Sequence, residues 1–360
     1  MKKFRLERKT KSSGLSVLLN SVLFAGLALV FCEFIIAAVG FNPLEVYGKM
    51  FSKAFLSARG IRKAIESGLP LMLCGLGVSI AFRMNLNNIG AEGQYAVGAI
   101  FGAAFVLYGP KVTGFPGLVI LAVCCFAGGA LWALLCAFPK AYWGVDESIT
   151  TLMLNYVALI LLSYLCLGPW KAKGQNVGQS EKIPDGLQIP EIAGLKVSMA
   201  FPLVVVIAVL LFLFYKYTTS GYQLNVIGKS LTAARYAGIN IKKNILLVLG
   251  LSGGLAGLAG FVQYAGITGR VQENMPNNAG YTAIVIAYLS RFNPLVVLLV
   301  SFLFAGLQNS SATVQVMGVP AQIATMMQGA IMVIVIAGDF FQRYKIVWNK
   351  NEDKKGGRAS

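Results

Sequence analysis

Long apolar runs alternate with short polar intervals along the whole chain, and the intervals carry most of its lysine and arginine. A membrane crossing needs about 20 apolar residues. On that requirement ten segments emerge, at 15–40, 66–83, 89–108, 116–138, 147–167, 200–216, 245–266, 277–290, 294–312 and 320–341, several interrupted by Gly, Pro or Asn. The eighth is too short to cross comfortably: about 12 apolar residues from Asn278 to Ser290 reach roughly 18 Å as helix, against roughly 30 Å of hydrocarbon. It is expected to be a half-helix, or one part of a broken pair with the ninth, a break tolerated where protein or a water-filled cavity satisfies the backbone. The predicted fold class is an all-α polytopic membrane protein of about 10 transmembrane segments with at least one broken or short helix. Its parts are a basic N-terminus at 1–14, a transmembrane domain at 15–341 containing a basic insert at 217–244, and a basic tail at 342–360.

Composition agrees with this pattern. The chain is 56% hydrophobic and 12% charged, about half the charge of an ordinary soluble domain. Its net charge of +17 comes from residues between apolar runs, without the patch of bases and exposed aromatics that a nucleic-acid surface needs. With the N-terminus inside, 20 of the 31 Lys and Arg fall on the cytoplasmic side, so both termini are expected there. The first apolar run follows a charged start but is far longer than the roughly 7–15 residues of a signal core, which predicts a retained span. All six cysteines lie in apolar segments with no CxxC, and there is no histidine, so they read as small core residues and no metal site is expected.

Polar residues inside the apolar segments are the candidate chemistry. Asn85, Asn87, Asn88, Glu92 and Gln94 are costly in hydrocarbon, while Gly90, Gly93 and Gly98 allow close backbone approach or a helix break. Polar groups at such a break line a pathway; alternatively Asn87 or Asn88 caps the helix and Glu92 merely sits in its favoured first turn. Asp146 and Glu147 have the plain explanation of a capped helix start, whereas Asn155 lies within an apolar span and must find a partner. Gly250 with Gly254, and Gly253 with Gly257, have the four-residue spacing of close helix crossing. Asn277, Asn278 and Gly280 repeat the order of Asn87, Asn88 and Gly90, as an inverted 5+5 repeat would require, although two capped helix starts would give the same match. Gln263, Gln308, Asn309, Gln322 and Gln328 complete a set of neutral donors and acceptors that suits an uncharged hydroxyl- or amide-rich solute; hydrogen bonds between helices would explain several of them equally.

The intervals differ in character. Residues 42–63 have helical spacing of Met50, Phe51, Ala54, Phe55 and Ala58, predicting a helix on the membrane face that reads as a spacer packed over the bundle rather than a functional element. Residues 168–197 read either as a partner-binding exterior loop or as a solvated connection. In the insert, Gly228-Lys229-Ser230 imitates the end of a phosphate-binding loop, but the required first glycine is Gln223, so this chain is not expected to bind ATP. Leu231, Ala234, Arg235 and Gly238 fall at three- and four-residue spacing, so one short helix there would offer a small, shallow face to a groove. A basic loop at lipid headgroups explains the charges without the small residues.

Five stretches in order, NNIGAEGQYAVGA (87–99), ESITTLMLNYVAL (147–159), GKSLTAARYAGI (228–239), SGGLAGLAGF (252–261) and the run from Gly280 to Pro294, resemble the permeases of ABC importers for nucleosides and simple sugars, related to branched-chain amino-acid permeases. The resemblance spans Glu66 to Ala337 and is strongest to the longer permease of bacterial nucleoside importers. It implies a multi-pass subunit of the bacterial cytoplasmic membrane in a heterodimer with a second permease, a cytoplasmic ABC ATPase carrying ATP and Mg, and an extracellular solute-binding protein, expected to be a lipoprotein. It also implies that Gly221 to Ile239 is the ATPase-coupling segment, with Gly228, Ser230, Leu231, Ala233, Ala234, Arg235, Gly238 and Ile239 as its contacts. The expected substrate-pathway residues are Asn85, Asn87, Asn88, Glu92, Gln94, Asn155, Gln263 and Asn309. An ion- or proton-coupled carrier using Glu92 is the alternative; a membrane enzyme lacks any nucleophile and base pair.

Overall fold

The computed structural model describes residues 4–8, 14–174, 176–192, 194 and 196–316, and beyond these 326, 329–330, 333–334, 337–338 and 344–348. Most of the tenth predicted segment, with Gln322 and Gln328, and most of both basic ends therefore fall outside the described residues. The chain divides into two compact units, 1–50 with 311–360, and 51–310.

In the first unit, strand β1 (Phe4–Arg8) pairs antiparallel with β2 (Tyr344–Trp348), Phe4 opposite Trp348. The fold is helical as expected, and this short ribbon is an addition to it. Its physical basis is visible in β2, where Tyr-Lys-Ile-Val-Trp is rich in aromatic and β-branched residues that favour extended backbone. Helix α1 (Gly14–Ala38) is the long first apolar run. Helix α2 (Pro43–Phe55) is the expected amphipathic helix: Asn42 Oδ1 accepts from the Leu44 N–H at 3.1 Å, and Val46 and Met50 are buried while Leu44 is exposed.

The second unit is built of α3 (Ala58–Arg83), α4 (Ala91–Tyr108), α5 (Gly114–Trp143), α6 (Glu147–Leu167), α7 (Ala200–Tyr217), α8 (Thr219–Lys229), α9 (Leu231–Tyr236), α10 (Ile241–Phe261), α11 (Ala279–Leu289) and α12 (Pro294–Val316). Helix α10 continues as one π-helical stretch, Val262–Thr268. Among the described residues, five helices are long and apolar enough to cross a membrane, or six when 26–38 and 43–55, bent by 118°, count as one span. Helix α4 has 18 residues but opens Ala-Glu-Gly-Gln, and α11 has only 11, the short element expected from the sequence.

Helix α10 is the centre, with α3, α4 and α5 packed around it and α11 against α3 and α4. The inner helices α3 and α10 are mostly buried, whereas α5, α6 and α7 leave large apolar side chains such as Phe115, Ile160 and Leu210 outside. In lipid that exposure carries no hydrophobic cost, so helices associate through close packing instead. The contact is made by glycine: a Cβ at Gly257 would overlap the carbonyl oxygen of Cys125, and one at Gly98 would overlap Gly257 Cα. Gly253 meets Ala133 and Gly129 in the same way, so the predicted four-residue glycine spacing lies on the face toward α5. Gly250 is different, because an added Cβ there would meet only Leu134, at 3.5 Å.

The connection after α6 is stitched down. Ser180 N–H donates to the Val271 carbonyl at 2.9 Å, Ile183 N–H to Gly269 at 2.8 Å, and Ile189 N–H to Ala265 at 2.9 Å. It covers the segment that leads from α10 to α11.

Gly257→Ala is expected to destabilise the protein by about 3 kcal/mol, since the new methyl has only backbone to displace. Gly250→Ala should stay within about 0.5 kcal/mol of the parent. Thermal unfolding in detergent checks the pair; equal losses would show that the glycine face is not what sets the α5–α10 distance.

Candidate functional site

The chain between α3 and α4, Met84 to Gly90, is irregular backbone among packed helices, so its polar groups need partners. Helix α6 supplies them from one stripe. Glu147, Thr151 and Asn155 recur every four residues and are all buried. Asn87 N–H donates to Glu147 Oε1 at 3.1 Å and Ile89 N–H to Thr151 Oγ1 at 3.3 Å. Asn155 Nδ2 donates to the Ile89 carbonyl at 2.8 Å, while its Oδ1 accepts from Gly93 N–H at 2.8 Å, capping the start of α4.

Asn88, Gln94 and Ser252 close the other side. Asn88 Nδ2 donates to Gln94 Oε1 at 2.9 Å and to Ser252 Oγ on α10 at 2.8 Å, and its Oδ1 accepts from Gly90 N–H and Gln94 Nε2, both at 3.0 Å. Asn85 holds the turn with a left-handed φ of 62°, which asparagine tolerates, and its side chain is exposed, as is that of Asn87.

Glu92 stands in the first turn of α4 but its carboxylate serves another helix. Only 2% exposed, it accepts from Asn278 N–H at 2.8 Å through Oε1 and from Gly280 N–H at 2.6 Å through Oε2. Asn278, the residue before α11, makes no side-chain cap of its own, so Glu92 fills that role from 186 residues away. The approach depends on Gly280, where a Cβ would overlap Glu92 N and lie 2.6 Å from Glu92 Cα. Two positive helix starts thus meet at one carboxylate. Asn155 Nδ2 also reaches Tyr281 Oη on α11 at 3.2 Å, tying α6 to the same junction.

The two Asn-Asn-x-Gly motifs meet here in different registers. Gly90 precedes α4 as its cap residue, whereas Gly280 lies inside the first turn of α11; the Asn88 side chain bonds within its own turn, and that of Asn278 makes no cap. Asn88, Glu92, Gln94 and Asn155 are therefore all buried around the start of α4, Asn88 and Gln94 bonded to each other and Glu92 and Asn155 each bonded to backbone N–H groups of a helix start. Gln263 lies on the π-helical stretch, half-buried, its carbonyl accepting from Thr268 Oγ1 at 2.9 Å. Asn309 joins α12 to the opposite end of α3, donating to the Lys63 carbonyl at 3.0 Å and Ser67 Oγ at 2.6 Å.

At the helix start of α6, Asp146 is the cap. Its Oδ1 accepts from Ser148 N–H at 2.8 Å, and this bond holds the carboxyl below its usual range. Glu147, expected from its position to share in the capping, does not cap α6; it forms an ion pair with Lys140 at 2.6 Å and accepts from Asn87 N–H. The stripe 147, 151, 155 was visible in the sequence as a four-residue recurrence of polar residues. Tyr281 and Ser252 carried no signal until their partners were known.

The insert 217–244 forms a short helix, α9, where one was expected, preceded by a second, α8. Thr218 Oγ1 accepts from Gly221 N–H at 3.0 Å to start α8, and Ser230 Oγ accepts from Ala233 N–H at 3.2 Å to start α9. Leu231, Ala233 and Arg235 are exposed and Ile239 half-buried, while Ala234 is fully buried against its own chain. Gly238 lies beyond the end of α9 with φ 70° and open space around it. Gly228 faces inward, its Cβ position overlapping the Arg83 carbonyl oxygen. Among the described residues no group of three or more His, Cys, Asp or Glu is placed to hold a metal ion.

Asn155→Leu is expected to cost about 3 kcal/mol, because Gly93 N–H and the Ile89 carbonyl both lose their partner in a buried setting. Tyr281→Phe removes one longer bond and should cost about 1 kcal/mol or less. Unfolding midpoints of the two variants in the same detergent give the comparison.

The chain also resembles known proteins in sequence. The family described as branched-chain amino acid transport system / permease component matches residues 61–336. The glucose ABC transporter permease protein TsgB13 of Haloferax volcanii is 33% identical over 342 residues, covering 91% of this chain and 87% of that one. The guanosine ABC transporter permease protein NupP of Bacillus subtilis is 29% identical over 346 residues, 92% and 96% of the two chains. The nucleoside ABC transporter permease protein NupB of Lactococcus lactis is 25% identical over 314 residues, 84% and 85%. The family match covers the helices that build the junction as well as the insert that packs beneath it, and the chain belongs to the branched-chain amino acid transport system permease component family.

Proposed function

We propose that this chain is the transmembrane permease of an ATP-binding-cassette importer that moves an uncharged nucleoside or simple sugar into the cell. The observation that carries the solute class is the junction at Glu92. Two helix starts present positive ends to one place, and in carriers with broken helices such ends receive anionic groups of the solute. Here a carboxylate of the chain already accepts from Asn278 and Gly280. These two donors are thereby occupied and do not call for an anionic solute. The relatives named for glucose, guanosine and nucleosides support the same class.

In this reading both termini are cytoplasmic, about ten segments cross, and Met84–Gly90 enters from the cytoplasm while the segment before α11 enters from outside as the second half of an inverted repeat. The 11 residues of α11 reach about 16 Å, half of the hydrocarbon core. The basic insert then lies in the cytoplasm, where Leu231, Ala233 and Arg235, with the 90% exposed Tyr236, form the face for the partner ATPase. ATP and Mg belong to that partner. A second permease and an extracellular solute-binding lipoprotein complete the importer.

The ion-coupled alternative requires Glu92 to exchange a cation or proton during transport, against the two backbone N–H groups that engage it. Uptake of radiolabelled guanosine and glucose into proteoliposomes separates the two: the importer needs the ATPase and ATP and continues when the ion gradients are collapsed. Transport that persists without the ATPase and stops with the gradient overturns the proposal.

Leu231→Asp is expected to lower ATP-driven uptake about tenfold by weakening ATPase docking, with the unfolding midpoint of the permease unchanged. Ala234→Leu, by contrast, should lower that midpoint, since Ala234 is packed against its own chain. Co-purification of the ATPase with each variant provides the second readout.

A further inference from the structure

The end of α8 rests on the backbone where α3 ends. A Cβ on Gly228 would overlap the Arg83 carbonyl oxygen and lie 3.3 Å from Met84 Cα, so this is backbone on backbone, with no flexible side chain between. The Arg83 guanidinium stacks 4.1 Å from the Tyr215 ring at the end of α7, which fixes the other side of the seat.

The same stretch of chain holds α11 at both ends. Glu92 binds its first N–H groups, and Phe82, the neighbour of Arg83, packs against Tyr288 and Phe292 at its end, with ring centroids 5.1 and 6.1 Å away. Between these two anchors the backbone has little slack. Asn87 is bonded to Glu147, Ile89 to Thr151 and Asn155, and Asn88 to Ser252. Residues 82–92 therefore carry α8 on one side and both ends of a half-helix on the other.

We infer that residues 82–92 act as a strut that moves α11 in step with the cytoplasmic insert, with Gly228 and Glu92 as its positioning residues. This rests on the reading of α8 and α9 as the ATPase-facing segment. A displacement of α8 cannot be absorbed at Gly228, because nothing compressible lies beneath it. The hydrogen bonds to α6 keep the segment from extending, so the displacement arrives at Glu92 and Phe82 together and shifts α11 as a unit. Gly228 thus faces inward along the path of coupling instead of contacting the ATPase.

The test uses the assembled permease–ATPase complex in lipid nanodiscs, with one added thiol and a water-soluble maleimide. Asn274→Cys reports on the exposed chain leading into α11, and Thr232→Cys on the exposed face of α9. The parent complex without the added thiol sets the background. Labelling at 274 is expected to change about tenfold between the nucleotide-free and the vanadate-trapped complex, a shift within the range of coupling energies through packed networks. Gly228→Ala and Glu92→Gln should each remove that change, while labelling at 232 still responds to nucleotide and ATP is still hydrolysed. Glu92→Gln keeps the side-chain volume, so it decides the question alone if Gly228→Ala fails to assemble. A full response at 274 in Glu92→Gln overturns the strut, as does a parent in which 232 responds and 274 does not. Absence of any response at 232 in the parent overturns the ATPase-facing reading itself, and the strut with it.

Discussion

The structure depends on one carboxylate placed where two helices begin. Each helix start leaves backbone N–H groups without internal partners, and in an apolar bundle no bulk water takes them. Asn155 accepts from one start at Gly93, and Glu92 from the other at Asn278 and Gly280. A buried carboxylate without such donors would be costly, and so would a buried helix start without an acceptor. Their meeting makes both tolerable, and it permits a half-length helix to exist inside the bundle.

Everything near that point is arranged to keep it closed. Gly280 removes the side chain that would hold the backbones apart, and Gly98, Gly129 and Gly257 bring α4, α5 and α10 close enough for Ser252 to reach Asn88. The stripe on α6 then satisfies the irregular chain between α3 and α4. Small residues and polar residues thus act together: the first set the distances, and the second use them.

The fold was legible where a rule acts over short sequence distance. Apolar run length marked the long helices, the deficit after Asn278 marked α11, and the spacing of Gly253 and Gly257 marked a crossing face. The site was legible in its residue types but not in its pairings. Nothing local in Ala91–Gln94 distinguishes a glutamate that favours its own helix from one that caps a helix 186 residues later. The insert misled in a similar way. Regular spacing from Leu231 to Gly238 suggested one continuous helical face, yet Gly238 lies outside α9 and Ala234 points into the chain. The β1–β2 ribbon was missed because its strands stand at opposite ends of the sequence.

The arrangement also bears on how a carrier without an energy source of its own is driven. A free intramembrane carboxylate invites coupling to protons or cations, since its charge state then sets its cost in the bundle. Glu92 is instead bound to backbone donors that do not titrate, and its removal from them would leave a helix start bare. The group best suited by type to ion coupling is thereby engaged by a helix start, and the exposed side chains of α9 lie elsewhere. On the proposed reading, force applied from outside the bundle reaches the helix start at Glu92 through packed backbone, in keeping with a permease family whose members carry no ATPase site of their own.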